Sequence, residues 1–210
     1  MKESLPSQVN KRLQLADPAT PDMARLLCKD DKISRIRAFA AKHATSDAIR
    51  LALKDDPSEW VRGAAASSAK SEATRLAFKD DPSRWVRRCA VWFAKSDDTR
   101  LAFKDDPDPA VRIGAVFNAT SDATRMAFRG DCNEWVRANA VTLARSDQTR
   151  LVFASDSSIY VRRQAYRFMN APTLLKNALQ SEPDLSVREV ITDRLRARSL
   201  DGPAAGGLSV

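Results

Sequence analysis

Nine residues decide the fold: Lys54-Asp55-Asp56-Pro57-Ser58-Glu59-Trp60-Val61-Arg62. The stretch returns 25 residues later as Lys79-Asp80-Asp81-Pro82-Ser83-Arg84-Trp85-Val86-Arg87. A fixed period of this kind is the sequence signature of a repeat protein. The same frame recurs, in places degraded, at 29–37, 104–112, 129–137, 154–162 and, after one inserted residue, 180–188. Seven units are predicted, beginning at Pro21, Ser46, Ser71, Ser96, Ser121, Ser146 and Pro172.

Each unit is predicted to contain two short helices. Ser46-Asp47 marks the start of the first, because the Ser hydroxyl can accept a hydrogen bond from an unpaired amide and the acid suits the positive end of the helix. This helix carries Leu51 and Leu53 and is only about eight residues long, so packing must hold it and part of it can be 3₁₀.

The second helix is predicted to begin at Asp56-Pro57, with Asp as its N-cap and Pro as its first residue. It presents Val61, Ala65 and Ala69 at i, i+4 and i+8 on one apolar stripe. Alanine on this stripe lets neighbouring helices approach closely, as stacked repeats require. The sequence therefore predicts an all-α array of stacked two-helix units.

Two columns of arginine follow the repeat. In the first column an arginine comes six residues after an acid, and we expect an acid–arginine ladder that ties each turn to its own or the next second helix; the alternative is a row of phosphate-binding arginines. Its pairs are Asp31/Arg37, Asp56/Arg62, Asp81/Arg87, Asp106/Arg112, Asp131/Arg137, Asp156/Arg162 and Glu182/Arg188. The second column lies in the first helices, where we expect a solvated face with i, i+3 pairs to acids such as Asp47. Its members are Arg50, Arg75, Arg100, Arg125 and Arg150.

Composition excludes several function classes. The formal charge is +8, from 35 basic and 27 acidic residues, but most basic residues have an acidic neighbour and no nucleic-acid-binding motif is visible. Three of the six glycines lie in the last nine residues, so a phosphate-binding glycine loop cannot be built. The chain has one histidine and three widely spaced cysteines. We therefore predict no catalytic site, no metal site and no cofactor, with Cys28 in the core and Cys132 exposed.

The ends of the chain differ from the array. We predict an N-terminal cap segment over residues 1–20, the repeat array over 21–196 and a disordered C-terminal tail over 197–210. No apolar run approaches the ~18 residues of a membrane-spanning helix, and no apolar stretch follows the first residues. We expect no membrane association and a cytoplasmic location.

The repeat resembles a known family. Asp-Asp-Pro-x-x-x-Val-Arg-x-x-Ala, preceded by Ser-Asp-x-Thr-Arg-Leu-Ala, is similar to the leucine-rich repeat variant family, and Asp-Pro followed by Val-Arg also occurs in HEAT-like repeats. The 25-residue period favours the former, because HEAT units are longer. The resemblance covers about residues 17–196. It implies a right-handed superhelical solenoid of about seven units, each with one α-helix and one short α- or 3₁₀-helix. Some members hold an iron–sulfur cluster through clustered N-terminal cysteines; residues 1–27 contain no cysteine, so the cluster is not carried over.

The candidate binding residues lie on the second helices, opposite the Val/Ala stripe. Aromatic side chains interleaved with arginine can grip the apolar side chains of a protein or stack nucleic-acid bases. The predicted set is Trp60, Trp85, Arg88, Trp92, Lys95, Phe117, Trp135, Tyr160, Arg163 and Arg167.

Two interpretations of the aromatic residues stay open. The column of Trp60, Trp85, Trp135 and Tyr160 can pack between adjacent units instead of facing a partner. Trp92 and Phe117 favour a surface patch, because the same repeat position holds small or polar residues in other units. The first hypothesis is a non-enzymatic scaffold that binds a protein. The alternatives are a DNA- or RNA-binding protein and a DNA-repair enzyme on a HEAT-like scaffold, which would need an unpaired carboxylate beside an exposed tryptophan.

Overall fold

The structure, a computed structural model, describes residues 28–200, without the side chains of 199 and 200. Within this range the chain forms thirteen helices and no strand, so the predicted all-α class is confirmed. The chain divides into two compact parts, each of which contains several repeats. We call them the first unit, which ends at Asn118, and the second unit, which begins at Ala119. The predicted cap over 1–20 and the last ten residues of the predicted tail lie outside the described residues.

Long and short helices alternate in the first unit, and each long helix packs against the next long one. The seven helices are α1 (Ser34–His43), α2 (Asp47–Ala52), α3 (Glu59–Ser68), α4 (Glu72–Leu76), α5 (Arg84–Trp92), α6 (Asp97–Leu101) and α7 (Pro109–Phe117).

The second unit begins with the same alternation and ends with two longer helices that pack together. Its helices are α8 (Asp122–Met126), α9 (Glu134–Thr142), α10 (Asp147–Phe153), α11 (Ile159–Phe168), α12 (Pro172–Ser181) and α13 (Leu185–Leu200).

The short helices begin where the sequence predicts. The hydroxyl of Ser71 accepts a hydrogen bond from the Thr74 amide at 3.2 Å, and the N-cap serines of α6, α8 and α10 make the same bond. Ser46 is the N-cap of α2 without a side-chain cap bond. The serine therefore supplies the N-cap that fixes the start of four of the five short helices.

The long helices begin two residues later than predicted. In α3 the N-cap is Ser58 and the first helical residue is Glu59. The Asp56 carboxylate accepts from the Ser58 amide at 2.9 Å, which closes an Asx turn ahead of the helix and leaves Pro57 in that turn. The expectation that Asp56 is itself the N-cap is therefore wrong.

Valine, alanine and phenylalanine form the core of each unit. Val61 and Ala65 are fully buried on α3, as the predicted stripe requires. A fully buried phenylalanine closes the short-helix segment of four successive repeats: Phe78, Phe103, Phe128 and Phe153. Cys28 packs with Ile36 and Ala40, as expected.

The first arginine column forms a ladder, but its carboxylate partners differ from the predicted pairs. Nε and Nη2 of Arg62 donate to the carboxylate of Asp81 at 2.7 and 3.1 Å, and Nη1 donates to the backbone carbonyl of Asp56 at 2.8 Å. Each arginine thus joins the carbonyl of its own turn to the carboxylate of the following turn. That carboxylate lies 19 residues later (20 for Arg162), and not six residues before as predicted. The hydrogen bond to Asp81 raises the pKa of Arg62, against the opposing effect of burial. The same arrangement occurs in Arg37/Asp56, Arg87/Asp106, Arg137/Asp156 and Arg162/Glu182.

The second arginine column is buried, so the expectation of a solvated face is wrong. Arg50 is only 2 % exposed; it donates to the Ala44 carbonyl at 2.6 Å and to Asp47 at 3.0 Å. Ala44 is the C-cap residue of α1, and carbonyl groups at a helix end need donors from outside the helix. The other four arginines of the column are also buried and donate to the carbonyl groups of Ala69, Ala94, Ala119 and Ala144.

Candidate functional site

Trp60 and Trp85 lie near the amino ends of α3 and α5 in the first unit. Their ring centres are 4.9 Å apart and the planes are tilted by 56°. A Cβ added to Gly63 would overlap the Trp85 ring, so this ring lies directly on the α3 backbone. Trp85 is half-buried, whereas Trp60 is 66 % exposed. Both interpretations of the aromatic column therefore hold here: Trp85 packs, and Trp60 faces solvent.

Trp92 and Phe117 form a second aromatic pair, at the last residues of α5 and α7. Their rings stack at 5.3 Å with an interplanar angle of 13°, and they are 43 % and 49 % exposed. We call this pair the Trp92 patch. It is a continuous apolar surface on two neighbouring long helices, of the kind that marks interaction sites.

Basic side chains accompany both pairs on α5. Arg88 is exposed, three residues after Trp85 and four before Trp92, and its side chain has no hydrogen-bond or ion-pair partner in the described part of the chain. Arg84 makes a long, exposed ion pair with Asp108 at 3.3 Å. Lys95 is exposed just beyond the helix. The predicted residues of the first unit therefore come together along one helix and its two neighbours.

Trp135 and Tyr160 form a third aromatic pair, on α9 and α11 in the second unit. Their ring centres are 4.8 Å apart with a tilt of 54°, and they are 52 % and 37 % exposed. The carboxylate before Trp135 belongs to Glu134, which accepts from the Ser158 hydroxyl at 2.5 Å. Glu59, beside Trp60, accepts from Ser83 in the same way. The repair-enzyme hypothesis requires an unpaired carboxylate beside an exposed tryptophan, but both of these carboxylates are paired.

A groove of about 650 Å³ lies between α11 and α13 of the second unit. Tyr160, Arg163 and Arg167, all predicted binding residues, line its α11 side. Arg194 lines the α13 side. Phe168 and the α13 residues were missed, because their approach to α11 depends on helix packing rather than on the repeat spacing.

The cysteines differ in exposure. Cys132 is exposed, as expected, and Cys89 is half-buried. Burial raises the pKa of the Cys89 thiol, against the lowering effect of Arg88. The described residues contain no cluster of three or more His, Cys, Asp or Glu side chains that could hold a metal ion.

Two further observations concern the chain and not a particular site. Among residues 28–200 we find no helix with the length and apolar character needed to cross a membrane. Comparison with protein-family models, curated proteins and solved structures finds no match to this chain.

Proposed function

We propose that this protein is a non-enzymatic helical-repeat scaffold that binds a protein partner through its long helices. We further propose that the units stack as a right-handed solenoid of the leucine-rich repeat variant or HEAT-like type, with about seven units. The recurrence of one set of hydrogen bonds every 25 residues supports this: the Asx turn, the acid–arginine ladder and the buried arginine at a helix C-cap.

The Trp92 patch is the observation that carries the proposal. Two stacked rings, each almost half exposed, stand where Ser67 and Thr142 occupy the same repeat position. Repeat packing does not need an aromatic side chain there, since other units do without one. Tryptophan and arginine dominate the binding energy of protein interfaces, and Arg88 lies one turn from Trp92.

The hydrogen-bond and ion-pair partners of the arginines favour a protein partner over a nucleic acid. Ten of them are either held by carboxylates in the ladder or buried against helix carbonyls, and contribute to the +8 charge without being available to phosphates. A phosphate-binding surface needs many free cations, because neutralised phosphates supply most of its affinity.

A crosslinking experiment identifies the partner at this surface. A photoreactive amino acid replaces Trp92, and the crosslinked protein is identified and then purified for binding measurements. Trp92→Ser and Phe117→Thr install the residues found in other units; we expect each to weaken binding at least about tenfold, as for interface hot spots. Lys79→Ala, at an exposed turn, is the matched control and should leave affinity unchanged.

Two results would contradict the proposal. If Trp92→Ser binds the purified partner as tightly as the wild type, the patch is not the interface. If the substitution instead lowers the urea midpoint strongly, the rings serve packing.

Nucleic-acid binding is the second candidate, favoured by exposed Arg163 and Arg167 close to Tyr160. A gel shift with random duplex and single strands at about 50 and 200 mM salt tests it, because phosphate contacts give a steep loss of affinity with salt. Absence of a shift at the lower salt concentration rejects this candidate.

A further inference from the structure

The groove between α11 and α13 has two walls with helical spacing. Tyr160, Arg163 and Arg167 follow one another at i, i+3 and i+7 on α11, and Val190, Arg194 and Ala197 at i, i+4 and i+7 on α13. Each set therefore lies on one helix face. The walls of the groove are therefore formed by two helices, and not by a loop.

The walls carry positive charge that the described residues do not neutralise. Arg163 and Arg167 are exposed and have no ion-pair or hydrogen-bond partner among residues 28–200. They lie at i, i+4 on α11, and like charges at this spacing repel each other. Arg194 is held in place: it donates to the Met169 carbonyl at 2.9 Å and to Asn170 at 2.7 Å. The acid in the lining, Asp193, already pairs with Arg196 at 3.4 Å. The groove therefore favours a ligand with negative charge.

The lining of the groove is partly apolar. Phe168, Val190 and Ala197 line it together with Tyr160, and the Arg167 guanidinium lies 6.0 Å from the centre of the Phe168 ring. A volume of about 650 Å³ falls within the ~300–1,000 Å³ of organic ligand sites. An inorganic anion would leave most of this space unfilled, so the complementary ligand combines carboxylates with an apolar side chain.

We propose that this groove binds an acidic peptide segment of the partner, with an aromatic or aliphatic side chain between its carboxylates. The proposal rests on the proposed function and names the partner chemistry at this place. We favour a peptide over a nucleic acid, because both rings of the lining already have neighbours: the Tyr160 ring centre is 4.8 Å from that of Trp135, and the Arg167 guanidinium is 6.0 Å from the centre of the Phe168 ring. Carboxylates need only the forked guanidinium groups.

The test uses the full chain and a fluorescein-labelled dodecapeptide in which glutamates flank a central phenylalanine. Fluorescence anisotropy measures its affinity, with a lysine-for-glutamate peptide as a charge control. We expect saturable binding of the acidic peptide only. Arg163→Gln combined with Arg167→Gln should weaken it at least about tenfold, since charge-assisted bonds are lost. Arg145→Gln, at an exposed arginine of the second unit that does not line the groove, is the control and should not change it.

A second variant separates shape from charge. Ala197→Trp fills the groove while all three arginines remain, and we expect it to weaken peptide binding as well. Both residues of the charge variant and Ala197 are exposed, so unchanged helical circular dichroism and urea midpoint are expected.

Three outcomes would overturn the groove proposal: no saturable binding of the acidic peptide, equal binding by the double arginine variant, or equal binding of the lysine peptide. Binding of single-stranded oligonucleotide in place of peptide would likewise overturn it. If the crosslinked partner needs the Trp92 patch but tolerates the groove variants, the groove proposal fails and the proposed function stands. If the purified partner tolerates both sets of substitutions, the proposed function fails too.

Discussion

Removing one arginine of the ladder should destabilise the fold strongly, and Arg62→Met is the sharpest case. Arg62 makes three hydrogen bonds, at 2.7 and 3.1 Å to the Asp81 carboxylate and at 2.8 Å to the Asp56 carbonyl. Methionine preserves the apolar stem of the side chain and removes all three. Asp81 would keep only the Ser83 amide at 2.8 Å as a bonded partner.

The magnitude follows from burial. The side chains of Arg62 and Asp81 are 12 % and 4 % exposed, and breaking a buried pair by removing one partner costs about 3–5 kcal/mol. Water still reaches the arginine, so we expect a loss of about 2–4 kcal/mol of unfolding free energy. Lys54→Met is the control: its pair with Asp55 is 3.4 Å long and largely exposed, so about 0–0.5 kcal/mol should be lost.

Urea denaturation at pH 7, followed by circular dichroism, measures both variants, and a double-mutant cycle with Asp81→Asn isolates the pair. The coupling between Arg62→Met and Asp81→Asn should exceed about 1 kcal/mol. A loss for Arg62→Met as small as that for Lys54→Met, or additive single substitutions, would show that the ladder does not hold successive turns together.

Three further outcomes are expected. Burial alone would raise the pKa of Asp122, but hydrogen bonds from backbone amides outweigh it and hold this pKa far below its ordinary range. The stabilisation by the Asp122 carboxylate is complete above the unfolded-state pKa, about 3.9, and is lost as the pH falls toward the folded pKa. The urea midpoints at pH 7 and pH 3 should therefore differ less in Asp122→Asn than in the wild type. Gly63→Ala should destabilise the wild type, because the methyl group displaces the Trp85 ring, yet stabilise a Trp85→Ala background by about 0.5–1 kcal/mol through helix propensity, and thermal melts of both would decide. A thiol reagent should modify exposed Cys132 quickly and buried Cys28 only on unfolding, and a fast phase that survives in Cys132→Ser would contradict this.

Much of the proposed binding surface could be predicted from the sequence, because exposure follows helix periodicity. Positions opposite the Val/Ala stripe face outward once the helix is known, and Trp60, Trp92 and Phe117 do so. The half-burial of Trp85 could not be predicted from this periodicity. It depends on the ring of one helix reaching the backbone of the previous helix at Gly63.

The sequence by itself determined the all-helical class, the 25-residue period, the serine caps and the core stripe, because these follow from local spacing and backbone hydrogen bonding. Only the tertiary structure decided which partners meet. It showed that the carboxylate bound by Arg62 belongs to the next turn, that Arg50 is buried against the end of α1 and that α13 completes a groove with α11. The physical reason is that a repeat fixes each residue's direction on its helix, whereas donor and acceptor pairing depends on the offset between packed helices.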